Sequence, residues 1–447
     1  MPSRVSIVVL IEVDVIVLGC GWAGILAAYK LAKYNATVLC LEKEQKPGGL
    51  LRSEHYRSFV IDIGGSHVIF SKDDRVLNAL IELLEANVVR NARSSFIDLG
   101  GKLIPYPIET GLYMLPPEDR FEAVKSFLEN MLSQYRDFEP KNLLEWIYYA
   151  FGSWIAKNYL EPYNRKLWKR PLDQVSLDWI SIPGRLPLPD WKEVIKAAVG
   201  LPSTGYKEQA VFYYPARGGI EALFNSVYEK ALSLGVRTLT NVSLQSLKVV
   251  NDGVIVNNTF KARKYLINTT PLPDLVKAFE RDDYVAAYLE YFDYNKVVVI
   301  AVGVNRPAPP HHWIYVPDER AVFHRYAWTS NYSPNNAPAK RSLALLEITV
   351  QKNENITRDL TARALRDFLK LTNLDEDDII FVKTYVNEYG YPIHTLKIKE
   401  VRGVILKWLK ERKIISIGRW GSWTYWNMDR VYRNVEDTVD NLVERRE

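Results

Sequence analysis

The run Gly19-Cys20-Gly21-Trp22-Ala23-Gly24 narrows the fold of this 447-residue chain more than any other feature. An apolar run, Val13–Leu18, precedes it, and a helical pattern, Gly21–Tyr34, follows. Strand, glycine turn and helix in that order start a βαβ unit, and Thr37–Leu41 supplies its second strand. In G-x-G-x-x-G, Gly19 makes the tight turn and Gly21 lets backbone approach a pyrophosphate. Gly24 lets the helix pack on the strand. Trp22 and Ala23 open the helix, whose orphan N–H groups attract phosphate. Glu42, with Lys43 beside it, ends the second strand, where a carboxylate reaches ribose hydroxyls.

Composition excludes several classes. The chain carries 58 Lys+Arg against 53 Asp+Glu, a net charge of +5, spread too thinly for a nucleic-acid footprint. With 47% apolar and 25% charged residues it is globular. Its two cysteines, Cys20 and Cys40, make no disulfide framework and suit a reducing interior. No stretch approaches the roughly 20 apolar residues of a membrane span. Ser6–Leu18 carries Glu12 and Asp14 and does not read as a signal peptide, so a cytoplasmic location is expected. The six histidines are scattered, and no metal site is expected. The 27 tyrosines and 12 tryptophans suit core packing and, at some positions, a pocket rich in hydroxyls.

Along the chain the pattern changes several times. Pro116–Arg120 starts a helical region that runs to about Gly200. Gly219–Leu234 reads as a helix, with strands at Val242–Val250 and Tyr265–Asn268. Between Lys296 and Gly390 strands dominate, interrupted by a helix at Arg358–Leu371. Ile414–Ile417 reads as a short strand and Tyr432–Arg446 as a last helix. The expected fold is α/β plus α+β. A discontinuous dinucleotide domain (1–80, 205–275, 405–447) carries a helical insert (112–200) and an antiparallel-sheet domain (85–111, 280–400).

Past Glu42 come Gly48-Gly49-Leu50 and then Gly64-Gly65-Ser66-His67. A paired glycine after the ribose acid resembles the FAD-binding glutathione-reductase-like oxidoreductases rather than the NAD dehydrogenases. Longer segments resemble one family within them. They are GGSHVIFSKDD (Gly64–Asp74), GKLIPYPIETG (Gly101–Gly111), YLEPYNRKLWKRPLDQVSLDWIS (Tyr159–Ser181) and FYYPARGGIEALF (Phe212–Phe224). WIYVPDERAVFHRYAWTSNYSP (Trp313–Pro334), GYPIHTL (Gly390–Leu396) and GRWGSWTYWNMD (Gly418–Asp429) follow in the same order. Together they resemble the UDP-galactopyranose mutase family, especially its eukaryotic branch.

That resemblance implies a ring contraction without net redox, through an adduct of the sugar with N5 of reduced FAD. Its substrate is a UDP-hexose. NAD(P)H is a candidate reductant, although no separate nicotinamide motif is present, and homo-oligomerisation is left open. Arg185 and Arg325 correspond to arginines on the diphosphate. Tyr315, Tyr332, Tyr391 and Tyr425 correspond to tyrosines at the diphosphate or sugar, and Asn164, Trp168 and Asn427 to residues near the sugar. His67 corresponds to the histidine facing the flavin. Gly418, Arg419, Met428 and Asp429 belong to a segment near the flavin, and Val242 to the segment meeting the adenine. Tyr106 corresponds to a base-contacting tyrosine. This chain has Ile108-Glu109 where the eukaryotic pattern continues Phe-Gln. Ionised glutamate only accepts hydrogen bonds, so a weakened or remodelled base contact, or a base with an exocyclic amine, is expected. Two alternatives stand beside the mutase: an FAD oxidoreductase of the amine-oxidase or protoporphyrinogen-oxidase type, and a non-enzymatic flavoprotein.

Overall fold

The computed structural model describes residues 10–133, 138–180, 186–201, 203, 210–279 and 283–444. They form two compact units, each assembled from separated stretches.

The first unit comprises 1–52, 223–292 and 398–447. Its sheet is centred on Ile11–Leu18, which pairs in parallel with Val38–Leu41 on one side and Phe260–Asn268 on the other. Arg237–Leu239 extends one edge and Ile414–Ser416 pairs with the end of Phe260–Asn268, both in parallel. Residues 13–18 and 38–41 are buried on both faces, as strands of a covered parallel sheet must be. Helix Trp22–Lys33 returns over the sheet with Ile25, Leu26, Ala28 and Leu31 inward. The expected strand Val242–Val250 is shorter. Residues 242–246 are irregular after Asn241, which has φ +58°, and the strand covers only Leu247–Val250. The last helix starts earlier than expected, at Met428, and runs to Glu444.

The second unit comprises 53–222 and 293–397, so the helical stretch and the larger sheet share one unit. The sheet has seven strands in the order 379–393, 293–304, 342–351, 325–328, 313–315, 95–99, 102–105. All its neighbours are antiparallel except Trp313–Tyr315 with Ser95–Leu99, which is parallel. Alternate residues of the central strands (Val298, Ile300, Ile314, Tyr326, Trp328, Leu346, Ile348) form one core with Ala364 and Phe368 of helix Arg358–Thr372. The period of two therefore turns Glu347, Arg325, Trp313 and Tyr315 to the opposite face.

In the helical stretch, Pro117–Leu132 packs against Leu143–Ile155 at Gly152. A Cβ there would lie 2.6 Å from the Phe127 nitrogen. A π-turn, Ala156–Leu160, leads into Glu161–Trp168. Among the described residues, no helix is long and apolar enough to cross a membrane.

Candidate functional site

In the first unit the glycine run forms a close-packed cradle. Gly19 has φ +83°, and a Cβ on it would lie 2.8 Å from Thr269 Oγ1. That hydroxyl donates to the carbonyls of Leu18 and Gly19 and pins the turn. A Cβ on Gly24 would lie 1.9 Å from the Gly19 oxygen, so strand and helix touch only because both residues are bare. Gly21 faces only Gly49, whose Cα would be 3.7 Å from its Cβ. No side chain caps the helix at Gly21, and its first turn holds no acid. Uncapped N–H groups beside bare glycines suit an anion, and the cradle fits a dinucleotide pyrophosphate.

Glu42 is buried and accepts from Cys20 N–H (2.8 Å) and Glu44 N–H (3.0 Å). It braces the glycine turn as well as ending the strand. Val242 N–H donates to the Glu42 carbonyl, which holds that segment beside the strand end despite its irregular backbone. Lys43 is exposed, and Leu50 lies in the short turn Gly49–Leu51. Trp22 Nε1 donates to the Met428 carbonyl, and Gly418 packs its bare Cα on Ala23. The Arg419 guanidinium lies 4.4 Å from the Tyr425 ring centre. Asn427 precedes the last helix, with Met428 and Asp429 in its first turn. Cys20 and Cys40 are both buried and free.

In the second unit, register builds a charged centre. Arg325 stands opposite Glu347 on one neighbouring strand and opposite Tyr315 on the other. Arg325 Nη2 donates to Glu347 Oε2 at 2.7 Å. The Glu347 side chain is 2% exposed and that of Arg325 25%. Glu347 Oε1 also accepts from Ser66 N–H (3.0 Å) and Ser66 Oγ (2.5 Å). Burial alone would raise its carboxyl. The adjacent Arg325, His324 and Ser66 outweigh that and hold it down at about 2. His324 is fully buried, and desolvation pushes it down to about 3, so it is neutral. Arg325 Nε is buried and makes no hydrogen bond among the described residues. That orphan donor on a fixed cation is a place for an anionic ligand to complete.

Tyrosines surround this pair. Tyr391 Oη lies 3.5 Å from Glu347 Oε2. The ring centres of Tyr106 and Tyr163 lie 4.8 and 5.5 Å from that of Tyr315. Glu109 is buried nearby. Burial first, then Tyr106, Tyr163, Tyr315 and Glu109, hold the Tyr159 hydroxyl well above its usual range. Tyr332 is fully buried among Phe212, Tyr214, His312 and Trp313, with its hydroxyl kept protonated by desolvation.

The Gly64-Gly65-Ser66-His67 loop closes over Glu347. A Cβ on Gly65, at φ +109°, would lie 3.4 Å from that carboxylate. His67 Nδ1 lies 3.1 Å from the Gly65 carbonyl oxygen. The strand feeding the loop ends in buried Asp62, which accepts from Ser53 Oγ, Tyr214 Oη and Ile220 N–H. Burial nevertheless pushes its carboxyl up to about 6.

Asn164 and Trp168 are turned inward and bond each other, Trp168 Nε1 to Asn164 Oδ1 at 3.1 Å. Asn164 also donates to the Leu160 carbonyl. Arg185 lies outside the described residues. The second unit thus gathers Tyr106, Tyr315, Arg325, Tyr391 and Ser66, while Tyr425, Asn427 and Arg419 belong to the first. Sequence reasoning missed Glu347, Tyr163 and Arg93. The signal for Glu347 was a lone acid inside the apolar run Ser342–Gln351 (SLALLEITVQ), which is affordable in a buried strand only with partners. Among the described residues, no cluster of three or more His, Cys, Asp or Glu could hold a metal.

Comparison with known proteins bears on the fold. The family model of the NAD(P)-binding Rossmann-like domain matches residues 17–83. Two prolycopene isomerases from an Oncidium hybrid are 40% identical over 75 residues, 17% of this chain and 13% of theirs. A UDP-galactopyranose mutase from Mycoplasma genitalium is 23% identical over 203 residues, 43% of this chain and 49% of that protein. The chain thus spans less than half the length of the curated relatives it matches. A protein assigned as a protoporphyrinogen oxidase from Exiguobacterium superposes with a TM-score of 0.73 at 16% identity, over 97% of this chain and 98% of its own. The crystal structure of a reduced UDP-galactopyranose mutase superposes with a TM-score of 0.88 at 24% identity, over 97% of this chain and 96% of its own. From its Rossmann-like glycine cradle to its seven-stranded sheet, the chain has the fold of a UDP-galactopyranose mutase.

Proposed function

We propose that the chain is an FAD-dependent nucleotide-sugar mutase that interconverts UDP-galactopyranose and UDP-galactofuranose, or a related UDP-hexose pair. One observation carries the reading. Arg325 is fixed on buried Glu347 with Nε unpaired, inside a group of tyrosine hydroxyls. A diphosphate leaving group needs such a clamp; amine or porphyrinogen oxidation does not. Reduced FAD, when bound, would supply the nucleophile for a ring contraction without net redox. The glycine cradle would hold its pyrophosphate and Glu42 its ribose. Arg325 neutralises and orients the substrate diphosphate, and its ion pair keeps it charged throughout the working pH range. Tyr315 supplies a phenol donor with little rotamer freedom to lose, and Tyr391 Oη reaches Glu347 at 3.5 Å. Glu347 ties the Ser66 loop to the same arginine, so the loop beside His67 and the clamp share one anchor.

The test is incubation of oxidised and dithionite-reduced protein with each UDP-galactose isomer, followed by chromatography. Interconversion is expected only after reduction. The likeness to the Exiguobacterium protein favours a second reading, an FAD oxidoreductase. Oxygen-dependent turnover without added reductant, and no interconversion, would select it.

Glu109 bears on the base. Glu109 is buried, and both it and Tyr106 act on the Tyr159 hydroxyl. As a carboxylate, a glutamate accepts from an exocyclic amine and offers nothing to uracil O4. A hydrogen bond to a charged group is worth about 1.5–3 kcal/mol, so CDP or GDP is expected to bind roughly tenfold tighter than UDP in competition. Equal or tighter binding of UDP removes that assignment.

A further inference from the structure

We infer that Arg93 and Trp313 act together as positioning residues that make Tyr315 a dedicated hydrogen-bond donor, so that it takes only an acceptor oxygen of the ligand. The inference rests on the diphosphate reading above and extends it to two residues that the sequence did not single out.

Arg93 follows strand Val88–Ala92, and its backbone N–H is tied to the Ala210 carbonyl. Its guanidinium lies 4.7 Å from the Tyr106 ring centre and 4.5 Å from that of Trp313. Nε donates to Ser95 Oγ at 3.1 Å, which fixes the plane of the fork. Nη2 then donates to Tyr315 Oη at 3.3 Å. Trp313 Nε1, two residues along the same strand face, donates to the same oxygen at 2.9 Å. Neither group can accept a hydrogen bond.

A phenol oxygen has one proton to give and lone pairs on its other side. Two fixed donors occupy that side of Tyr315, so its own O–H must point elsewhere. Tyr315 stands opposite Arg325 across the strand pair, so both side chains share one face of the sheet. A ligand held by Arg325 therefore meets a phenol that can only donate. Donation into its oxygen also polarises the O–H and strengthens that bond. The selectivity follows: phosphate and carbonyl oxygens are accepted, and a group that must itself donate is refused. Tyr106, with its ring centre 4.7 Å from the Arg93 guanidinium, shares the same cation. Arg93 thus couples the two tyrosines without needing to touch the ligand.

A double-mutant cycle tests this, read by calorimetric titration of UDP into the oxidised, FAD-loaded protein. Arg93→Met is expected to weaken UDP about tenfold, and Arg93→Lys, which still donates, to recover to within about threefold of wild type. In a Tyr315→Phe background the Arg93→Met change is expected to fall below about twofold. Trp313→Phe keeps an aromatic ring and removes the other donor. It is expected to show the same coupling, and it serves if Arg93→Met fails to hold flavin. An undiminished loss in the Tyr315→Phe background, or no loss in the parent, overturns the inference while the diphosphate reading stands. A wild-type protein that holds flavin and binds none of UDP, CDP and GDP overturns both.

Discussion

Replacing Arg325 with alanine is expected to lower mutase kcat/KM by about 100-fold or more, while the protein remains yellow. Positive charge on a leaving diphosphate helps most as the glycosidic bond breaks, when negative charge accumulates there. Glu347 holds the Arg325 guanidinium in place at 2.7 Å. The same pair predicts a second consequence. Alanine leaves a 2% exposed carboxylate without its cation, and breaking a buried pair from one side costs about 3–5 kcal/mol. Arg325→Lys separates the two effects. It keeps a charge for Glu347 but loses the planar fork, so activity falls while the urea midpoint stays near wild type. The pH sign follows from a carboxyl held at about 2 against 4.5 unpaired. The stabilisation from Glu347, about 3 kcal/mol, is present above pH 4.5 and is lost as pH falls toward 2. Full activity in Arg325→Ala would overturn the proposed function.

The other large effect is expected at Gly24. A single methyl there lands 1.9 Å from the Gly19 carbonyl oxygen, inside any van der Waals contact. Relief would require the Gly19 turn to move. That turn already sits at φ +83° with Thr269 Oγ1 against it, so the helix must leave the strand instead. Gly24→Ala is therefore expected to purify without flavin, with no 450 nm band by roughly the first size-exclusion step, because a displaced helix no longer aims its N–H groups at the pyrophosphate. Gly403→Ala is the control. Gly403 lies in helix Ile398–Lys410 with nothing within 4 Å of its would-be Cβ, and alanine there is expected to stabilise by about 0.5–1 kcal/mol with full flavin content. Retention of flavin by Gly24→Ala would refute the role given to the cradle.

The two constellations differ in how far they could be read from the chain. The cradle is local. Gly19, Gly21, Gly24 and Glu42 fall within one βαβ unit, so spacing alone carries their roles. The clamp is not local. Arg325, Glu347, Tyr315 and Ser66 come from four separated segments, and each one alone reads as an ordinary surface or core residue. The resemblance pointed to Arg325 and Tyr315, but nothing in it singled out Glu347. Short strands failed for a related reason. Trp313–Tyr315 and Arg325–Trp328 hold three and four residues, too few to show a period of two, and they exist because neighbours complete their ladders. Long apolar runs such as 297–304 and 342–350 were legible because they are buried on both faces whatever they pair with. The misread segment 242–246 has strand-like residues, but Asn241 in the left-handed region turns the chain before a ladder can form.

By itself, then, the sequence determined a glycine turn between a buried strand and a helix, because only bare residues at Gly19 and Gly24 permit that close packing. It also determined which runs are apolar enough to be central strands. Only the tertiary structure decided that Glu347 faces Arg325, that Tyr315 stands on the other side of that arginine, and that Arg93 and Trp313 fill the lone-pair side of its hydroxyl. Those facts depend on register between strands distant in the chain. A shift of one residue would turn each of these side chains to the opposite face.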